Sequence, residues 1–335
     1  MSSGEFDRTQ KNTDAMEFDL RPVDARSALL KVLTLFAGTR ILVVLVAMLS
    51  SLIVEPGRFA KSDPVRKRID RLLLRWDCGW YHGIVQNGYY FKPVGHSSVA
   101  FFPGYPIAAR SLHRMGLSSI AAGYLVSNLA LLVASLLLWV HVRDCYDETI
   151  AWKSVVFLLT NPVSFFYSTL YSESFFLMCM LATFVTATRG RWMQASVWGA
   201  LTALTRSPGV LMVIPMTIEF LGVSLSRPYI RRRRPWWPMI ACAGPILGLG
   251  VYMTYLGFAF GNPKAFLVAS SYWGRRISIS TGPIRDAIRN ADFYSWWFLG
   301  SLLIAAFLVY LGRKQKLRLS HQALSISLLG LYLAT

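Results

Sequence analysis

Residues 117–141 read LSSIAAGYLVSNLALLVASLLLWVH, and this stretch decides the fold class of the chain. It contains no Asp, Glu, Lys or Arg. An α-helix rises about 1.5 Å per residue, so about 20 apolar residues cross the hydrocarbon core of a bilayer. The stretch is long enough to do so and therefore predicts a membrane-spanning helix.

Further apolar segments lie on both sides of it. Those between residues 151 and 226 are short and closely spaced, so they are either helices shielded by neighbours or half-spanning helices. Together the segments predict an all-α polytopic membrane protein. They cover roughly residues 29–54, 151–168, 174–188, 193–206, 209–226, 236–260, 295–312 and 319–335.

Composition agrees with this class. Only 16% of the residues are charged, whereas 54% are hydrophobic, and a soluble domain usually has about 25% charged residues. The net charge of +18 would suggest nucleic acid in a soluble protein. Here the basic residues lie mostly between apolar segments, where they set orientation and contact anionic lipid. We therefore expect the bilayer, and not nucleic acid, as the partner of these charges.

Orientation follows from the basic loops. With a cytoplasmic N-terminus, the basic segments at 189–191, 227–234 and 313–318 all lie inside. Residues 1–28 are then a polar cytosolic tail without signal-peptide features, and 29–335 form a single transmembrane domain. The non-cytoplasmic side receives a large first loop, 55–116, a second loop, 261–294, and the short turns at 169–173 and 206–208.

Within the first loop, residues 58–75 are strongly basic but carry an apolar stripe at helical spacing. This pattern predicts an amphipathic helix lying in the membrane interface. Two roles stay open for it, a plain interfacial anchor or direct contact with a lipid-phosphate substrate.

Asp77 follows this helix in the segment Arg75-Trp76-Asp77-Cys78-Gly79-Trp80-Tyr81-His82. A carboxylate is costly near the hydrocarbon region, by about 2.5–3.5 kcal/mol at a helix centre, so it suggests function. Asp77 is a candidate general base, with the neighbouring aromatic rings suited to a sugar. The alternative is a helix-capping Asp or one that forms a salt bridge with Arg75. His82 is a supporting candidate.

Two further charged residues lie in turns assigned to the same side. Glu173 follows Asn161-Pro162 and Tyr171, where a proline-bent helix is expected to line a cavity. Arg206 precedes Pro208-Gly209 and suits a phosphate ligand. The alternatives are a structural carboxylate for Glu173 and, for Arg206, an arginine that only reaches toward the interface. Trp273, in the second loop, is a candidate substrate platform.

The four cysteines and the histidines His96, His113 and His141 show no metal-ligand spacing, so we expect no metal site. The cysteines are Cys78, Cys145, Cys179 and Cys242.

Five motifs in order resemble the GPI mannosyltransferase 2 (PIG-V-like) family of GT-C membrane glycosyltransferases. They are Arg75-Trp76-Asp77-Cys78-Gly79-Trp80-Tyr81, Phe101-Phe102-Pro103-Gly104-Tyr105-Pro106, Asn161-Pro162 with Tyr171-Ser172-Glu173-Ser174, Ala203-Leu204-Thr205-Arg206-Ser207 and Gly261-Asn262-Pro263-Lys264-Ala265-Phe266.

The resemblance implies a GT-C-like bundle, here of about eight to nine transmembrane helices, that uses polyprenyl-phosphate sugars. It also assigns the role of catalytic base to an acidic residue in the first non-cytoplasmic loop, which is Asp77. Cys78 and Asn262 depart from the family's usual Ser and Asp, and the second change argues against a catalytic role for Asn262. Relatives usually continue beyond the position of Thr335, so a short or truncated form is expected.

The resulting hypothesis is a hexosyltransferase, mannosyltransferase-like, acting between a polyprenyl-phosphate sugar and a lipid-linked or cell-envelope acceptor. Asp77 is the base, Glu173 orients the acceptor or the sugar, and Arg206 and Arg75 bind the donor phosphate. No cofactor is expected, because an arginine can offset the phosphate charge; a divalent metal stays open as the alternative. The compact form of the sequence suggests a bacterial protein, and its expected location is then the plasma membrane. The alternatives are a lipid or solute transporter and a non-catalytic assembly subunit. The substrate-binding candidates are Trp76, Trp80, Tyr81, His82, Tyr171 and Trp273.

Overall fold

The computed structural model describes residues 25–54, 74, 76–226, 237–274, 289 and 293–334, and the regular secondary structure of these residues is helical, with no β-strand among them. The predicted amphipathic helix at 58–75, apart from residue 74, and the basic segment 227–234 lie outside the described residues, and so does Arg75. Short 3-10 helices cover Ser98–Ala100, Ser164–Ser168 and Ser207–Met212. The α-helices are α1 Ala25–Val54, α2 Cys78–Asn87, α3 Gly104–Arg114, α4 Ser119–Cys145, α5 Glu148–Thr160, α6 Glu173–Thr188, α7 Trp192–Thr205, α8 Val213–Ser226, α9 Trp237–Ala241, α10 Gly244–Phe260, α11 Ala265–Ser271, α12 Phe293–Lys314 and α13 Leu319–Ala334.

The helix α4 is the central element of the bundle. It is 27 residues long, contains residues 119–141 of the opening apolar stretch, and packs against α1, α3, α5 and α6. Its N-terminus is capped by Ser118, whose side chain accepts a hydrogen bond from the backbone N–H of Ala121.

Among the described residues, two helices are long and apolar enough to cross a membrane, Arg26–Leu49 within α1 and Ser119–Cys145. The pair α10 and α11 gives a third span if it is counted as one, with a bend of 89° between its parts. The apolar helices Glu173–Thr188, Ser207–Gly222 and Leu319–Leu331 are shorter. The all-helical class with apolar spans is thus confirmed, and the count of eight to nine spans stays a prediction.

Two predicted apolar segments are interrupted. The segment 151–168 contains α5, which ends at Thr160, and the separate 3-10 helix Ser164–Ser168. Pro162 explains the break, because a residue that precedes proline is disfavoured in the helical region. The segment 236–260 is likewise divided between α9 and α10.

Different loops make contacts at the two ends of α4. Near its C-terminus, Arg189 forms a salt bridge with Asp144 at 2.7 Å, and the backbone N–H of Arg318 donates to Tyr146 Oη at 3.2 Å. Near its N-terminus, Ser119 Oγ lies 3.0 Å from His82 Nδ1. Arg189 and Arg318, from two of the segments assigned to the cytoplasmic side, therefore lie at the same end of this helix.

Candidate functional site

The turn between the 3-10 helix Ser164–Ser168 and α6 carries Tyr171, Ser172 and Glu173. It is held on α4 by two side chains. Ser127 Oγ donates to the carbonyl oxygen of Thr169 at 2.6 Å, and Asn128 Nδ2 donates to that of Ser168 at 3.1 Å. This fixed backbone sets the positions of the three side chains that follow.

Each residue of this tripeptide contacts a candidate from a different part of the chain. Tyr171 Oη accepts a hydrogen bond from the backbone N–H of Asp77 at 3.2 Å. Ser172 Oγ accepts one from Tyr81 Oη at 2.8 Å and one from Arg206 Nη1 at 3.3 Å. Glu173 Oε1 forms an ion pair with the same Arg206 nitrogen. The structure therefore brings Asp77, Tyr81, Glu173 and Arg206 into one neighbourhood.

Arg206 directly follows α7 and precedes the 3-10 helix Ser207–Met212. Burial alone would lower the pKa of its guanidinium. The negative charge of Glu173, together with other neighbouring groups, has the larger effect, so the pKa is raised. Its side chain is 35% exposed. Among the described residues only Nη1 has hydrogen-bond partners. Nε and Nη2 are thus able to bind an anion as a fork.

Glu173 begins α6, where the helix N-terminus favours a carboxylate. Its Oε1 binds Arg206, whereas Oε2 is buried and has no hydrogen-bond partner among the described residues. Buried polar atoms are normally satisfied, and an exception at a polar site calls for an explanation such as a substrate donor.

Asp77 directly precedes α2, and its side chain makes no capping hydrogen bond to that helix. Asp77 occupies the N-cap position of α2 through its backbone carbonyl oxygen, which accepts from the N–H groups of Trp80 and Tyr81. A salt bridge with Arg75 lies outside the described residues. The preceding Trp76 has a φ of 50° and is 69% exposed. A bulky residue in the left-handed region is unusual. Strained backbone of this kind clusters at functional sites.

Tyr81 is buried within an aromatic group. Its ring centroid lies 5.1 Å from those of Phe101 and Tyr105 and 6.3 Å from that of Tyr171. Burial raises the pKa of its hydroxyl, on which the charges of Arg206, Glu173 and Asp77 also act. The phenol is thus kept protonated as a donor to Ser172.

A second aromatic group lies beside the first. Trp80 stacks on Phe101 with a centroid separation of 5.7 Å and meets Trp273 edge-on at 5.2 Å. His96 lies 4.4 Å from Trp273. The indole Nε1 of Trp273 is buried with no hydrogen-bond partner among the described residues. Through these ring contacts, Trp273 of the second loop packs against Trp80 and His96 of the first loop.

The remaining candidates lie further from the tripeptide. His82 Nδ1 contacts Ser119 Oγ at the start of α4. The ring of Trp76 lies 6.1 Å from that of Phe166, which in turn lies 5.4 Å from Tyr171. These contacts place both residues at the edge of the site.

Gly104 allows α3 to approach the residues before Arg206. A Cβ at this position would lie 2.5 Å from Thr205 Oγ1 and 3.2 Å from the carbonyl oxygen of Leu204. The close approach therefore needs a residue without a side chain. The Phe101–Pro106 motif thus helps to position Arg206.

The sequence did not predict Arg40, which is buried on α1. Its Nη1 donates to Ser168 Oγ at 2.7 Å and to the carbonyl oxygen of Ser164 at 3.1 Å, and its Nη2 donates to that of Leu159 at 2.9 Å. The signal was present, because an arginine within an apolar span is a functional candidate. Arg40 holds the backbone that leads to the tripeptide.

Comparison with known proteins gives two matches. The sequence model of a family described as "Mannosyltransferase (PIG-V)" matches residues 27–260. A relative named GPI mannosyltransferase 2, from Drosophila pseudoobscura pseudoobscura, is 23% identical over 262 residues. That alignment covers 69% of this chain and 57% of the relative, so the chain spans a little over half of the relative's length. No solved structure matches.

The matched residues include the motifs around Asp77, Phe101, Glu173 and Arg206, so the resemblance that those motifs indicated is confirmed. Because the family model covers more than half of the sequence, this chain belongs to the mannosyltransferase (PIG-V) family.

Proposed function

We propose that this protein is a membrane mannosyltransferase that moves mannose from a polyprenyl-phosphate donor to a hydroxyl of a lipid-linked or cell-envelope acceptor. The observation that carries the proposal is the contact set of Tyr171-Ser172-Glu173. These three residues join the segment of Asp77 and Tyr81 to Arg206 at one polar site.

The proposed step uses two charged residues. The Asp77 carboxylate takes the proton of the acceptor hydroxyl as the oxygen attacks C1 of the sugar. The bond between C1 and the phosphate oxygen breaks, and the polyprenyl phosphate leaves with the electron pair. Nε and Nη2 of Arg206 bind the phosphate and stabilise its added charge. Attack opposite the leaving group inverts the configuration at C1.

Two of the three buried side-chain atoms that lack a hydrogen-bond partner among the described residues lie at this site and supply positioning; the third is Arg40 Nε. Glu173 Oε2 is an acceptor and Trp273 Nε1 is a donor, and each lacks a partner among the described residues. We assign the sugar hydroxyls as the groups that they bind. The aromatic rings of Trp80 and Trp273 suit the apolar face of a sugar ring. Tyr81 and Tyr171 are buried, and their role is to hold the site in place.

The phosphate charge is offset by Arg206 in this proposal, so no metal is assigned to the transfer step. Arg75 is a second proposed phosphate ligand on sequence grounds alone. The matched relative is a fly protein, so the bacterial plasma membrane stays a prediction from the sequence.

The test is transfer of radiolabelled mannose from polyprenyl-phosphate mannose to membrane lipid by the purified chain in liposomes. Asp77→Asn is expected to lower the rate by about 100-fold or more, the range for loss of a general base. Its elution and thermal unfolding should match the parent. Asp144→Asn, at the opposite end of α4, is the matched control and should keep most of the activity.

An Asp77→Asn variant that keeps more than about a tenth of the parent rate would overturn the role of Asp77. Labelled donor that crosses the bilayer without sugar transfer would instead support a transporter.

A further inference from the structure

A histidine–cysteine cluster lies at the end of α4 that is remote from the candidate active site. His141 and Cys145 are one helical turn apart on α4, and His321 reaches them from α13. Their ligand atoms all lie within 4.8 Å of one another. His141 is 22 residues from Ser119, which is roughly 33 Å along the helix axis, so this cluster is separate from the transfer chemistry.

We propose that His141, Cys145 and His321 bind one thiophilic transition-metal ion, of the Zn(II) or Cu(I) class, that fastens α13 to α4. Thiolate and imidazole ligands select these metals over hard cations. The set is a Cys-His₂ site, one ligand short of the tetrahedral sites that zinc prefers, and leaves the fourth position to water or another group.

The distances are close to those a metal needs. Metal bonds of about 2.0–2.1 Å to nitrogen and about 2.3 Å to sulfur place tetrahedral ligand atoms roughly 3.3–3.6 Å apart. The two Nε2 atoms are 2.8 Å apart, and Cys145 Sγ is 3.9 Å from the His141 ring nitrogens. Small side-chain rotations separate the first pair and bring the second closer.

The protonation states also fit. Two imidazole nitrogens at 2.8 Å cannot both carry a proton, so at least one Nε2 already presents a lone pair. On binding, both rings hold their proton at Nδ1, and the Cys145 thiol releases its proton to solvent. Metal–nitrogen bonds then replace the hydrogen bond between the rings.

The surroundings resemble those of metal-bound histidines. His321 Nδ1 lies 3.1 Å from Tyr146 Oη, a partner that holds the ring with Nε2 toward the cluster. Arg318 lies close enough to act electrostatically on His141, Cys145 and His321. Its guanidinium makes two hydrogen bonds to the buried carboxylate of Glu219, at 3.2 and 2.6 Å, and that carboxylate offsets part of the positive charge beside the cluster.

The experiment measures metal content of the full chain, purified without a polyhistidine tag from cells grown with added zinc and copper. Elemental analysis is expected to find about one thiophilic metal ion per chain and to identify it. Cys145→Ser and His321→Ala should each lower the content at least tenfold. Cys179→Ser, which changes a buried thiol elsewhere in the bundle, is the matched control and should keep the metal.

A second measurement does not depend on how the variants fold. Chelator-treated parent protein is titrated with Co(II), and a thiolate-to-cobalt charge-transfer band with saturation near one equivalent is expected. Absence of both bound metal and this band overturns the proposal. Metal that persists in the Cys145→Ser and His321→Ala variants is adventitious and overturns it as well.

Discussion

Tyr81 Oη donates a hydrogen bond to Ser172 Oγ over 2.8 Å, and this contact joins α2 to the turn that begins α6. The same Ser172 oxygen accepts from Arg206 Nη1. One serine hydroxyl thus sets the distance between the helix that follows Asp77 and the proposed phosphate ligand.

Tyr81→Phe removes this donor and keeps the ring. We expect kcat to fall about tenfold with little change in KM, because a lost hydrogen bond of about 1 kcal/mol loosens the site without removing a substrate contact. The free energy of unfolding should fall by a similar amount. Steady-state transfer kinetics and thermal unfolding in detergent check both effects.

The control is Tyr310→Phe, which removes a hydroxyl from an exposed tyrosine on α12 and should behave as the parent. An unchanged kcat in Tyr81→Phe would mean that the Tyr81–Ser172 contact has no part in positioning Arg206.

The Arg206–Glu173 ion pair can be tested by a double-mutant cycle. Glu173→Gln is expected to lower kcat/KM about tenfold, and Arg206→Lys about 100-fold, because lysine cannot present a fork to phosphate. Both side chains are about one third exposed, so the change in unfolding free energy should stay near 1 kcal/mol.

The two substitutions together should cost less than the sum of the single effects, because each one already disrupts the same pair. Additive losses in kcat/KM would indicate that Glu173 and Arg206 act on the substrate independently of each other.

Much of this arrangement follows from sequence, and the limits have physical causes. The uninterrupted apolar stretch within α4 predicted its helix, and the charge of the loops predicted that Asp77, Glu173 and Arg206 share one side of the membrane, which stays a prediction. Sequence could not specify that Tyr171, and not a charged group, meets Asp77, since 94 positions separate them. Arg40 was missed although an arginine within an apolar span is a functional candidate, and only tertiary contacts reveal its partners.

Gly104→Ala tests the close approach of α3 to the end of α7. The new methyl group would lie 2.5 Å from Thr205 Oγ1, so neighbouring atoms must move. We expect a loss of about 1–3 kcal/mol in unfolding free energy, typical of overpacking, and a fall in kcat/KM because Arg206 is displaced. Thermal unfolding and transfer kinetics measure the two effects.

Adding Thr205→Ala removes the nearest atom and should restore part of the stability, while the contact with Leu204 remains. The control is Gly83→Ala on α2, where the added Cβ meets no atom within 4 Å. Equal behaviour of Gly104→Ala and Gly83→Ala would contradict the proposed packing constraint.

Buried tyrosines predict a loss of stability in alkali. Burial raises the pKa values of Tyr81, Tyr105 and Tyr171 in the folded chain, whereas unfolded tyrosine titrates near about 10. The folded state then binds more protons above that pH. Stability due to these groups is fully present below about pH 10 and decreases as the pH rises toward the folded values.

Unfolding midpoints measured from pH 8 to 11 should therefore stay level at first and then fall. Tyr81→Phe should fall less steeply above about pH 10, by up to about 1.4 kcal/mol per pH unit, since one titrating group is removed. A parallel slope in parent and variant would show that Tyr81 ionises equally easily in both states.

Arg40→Met tests whether the buried arginine holds the backbone that leads to the site. Methionine fills a similar volume but leaves the carbonyl oxygens of Leu159 and Ser164 without their donor. Each unsatisfied buried acceptor costs about 1–3 kcal/mol, so for two acceptors we expect a loss of about 2–6 kcal/mol in unfolding free energy. Arg40→Lys should lose an intermediate amount of unfolding free energy, because one ammonium group cannot reach all the partners that the two guanidinium nitrogens bind.

The control is Lys31→Met, which removes an exposed cation from the same helix and should leave the midpoint of thermal unfolding unchanged. If Arg40→Met unfolds at the midpoint of the parent, the turn before Tyr171 is held by α4 alone, through Ser127 and Asn128.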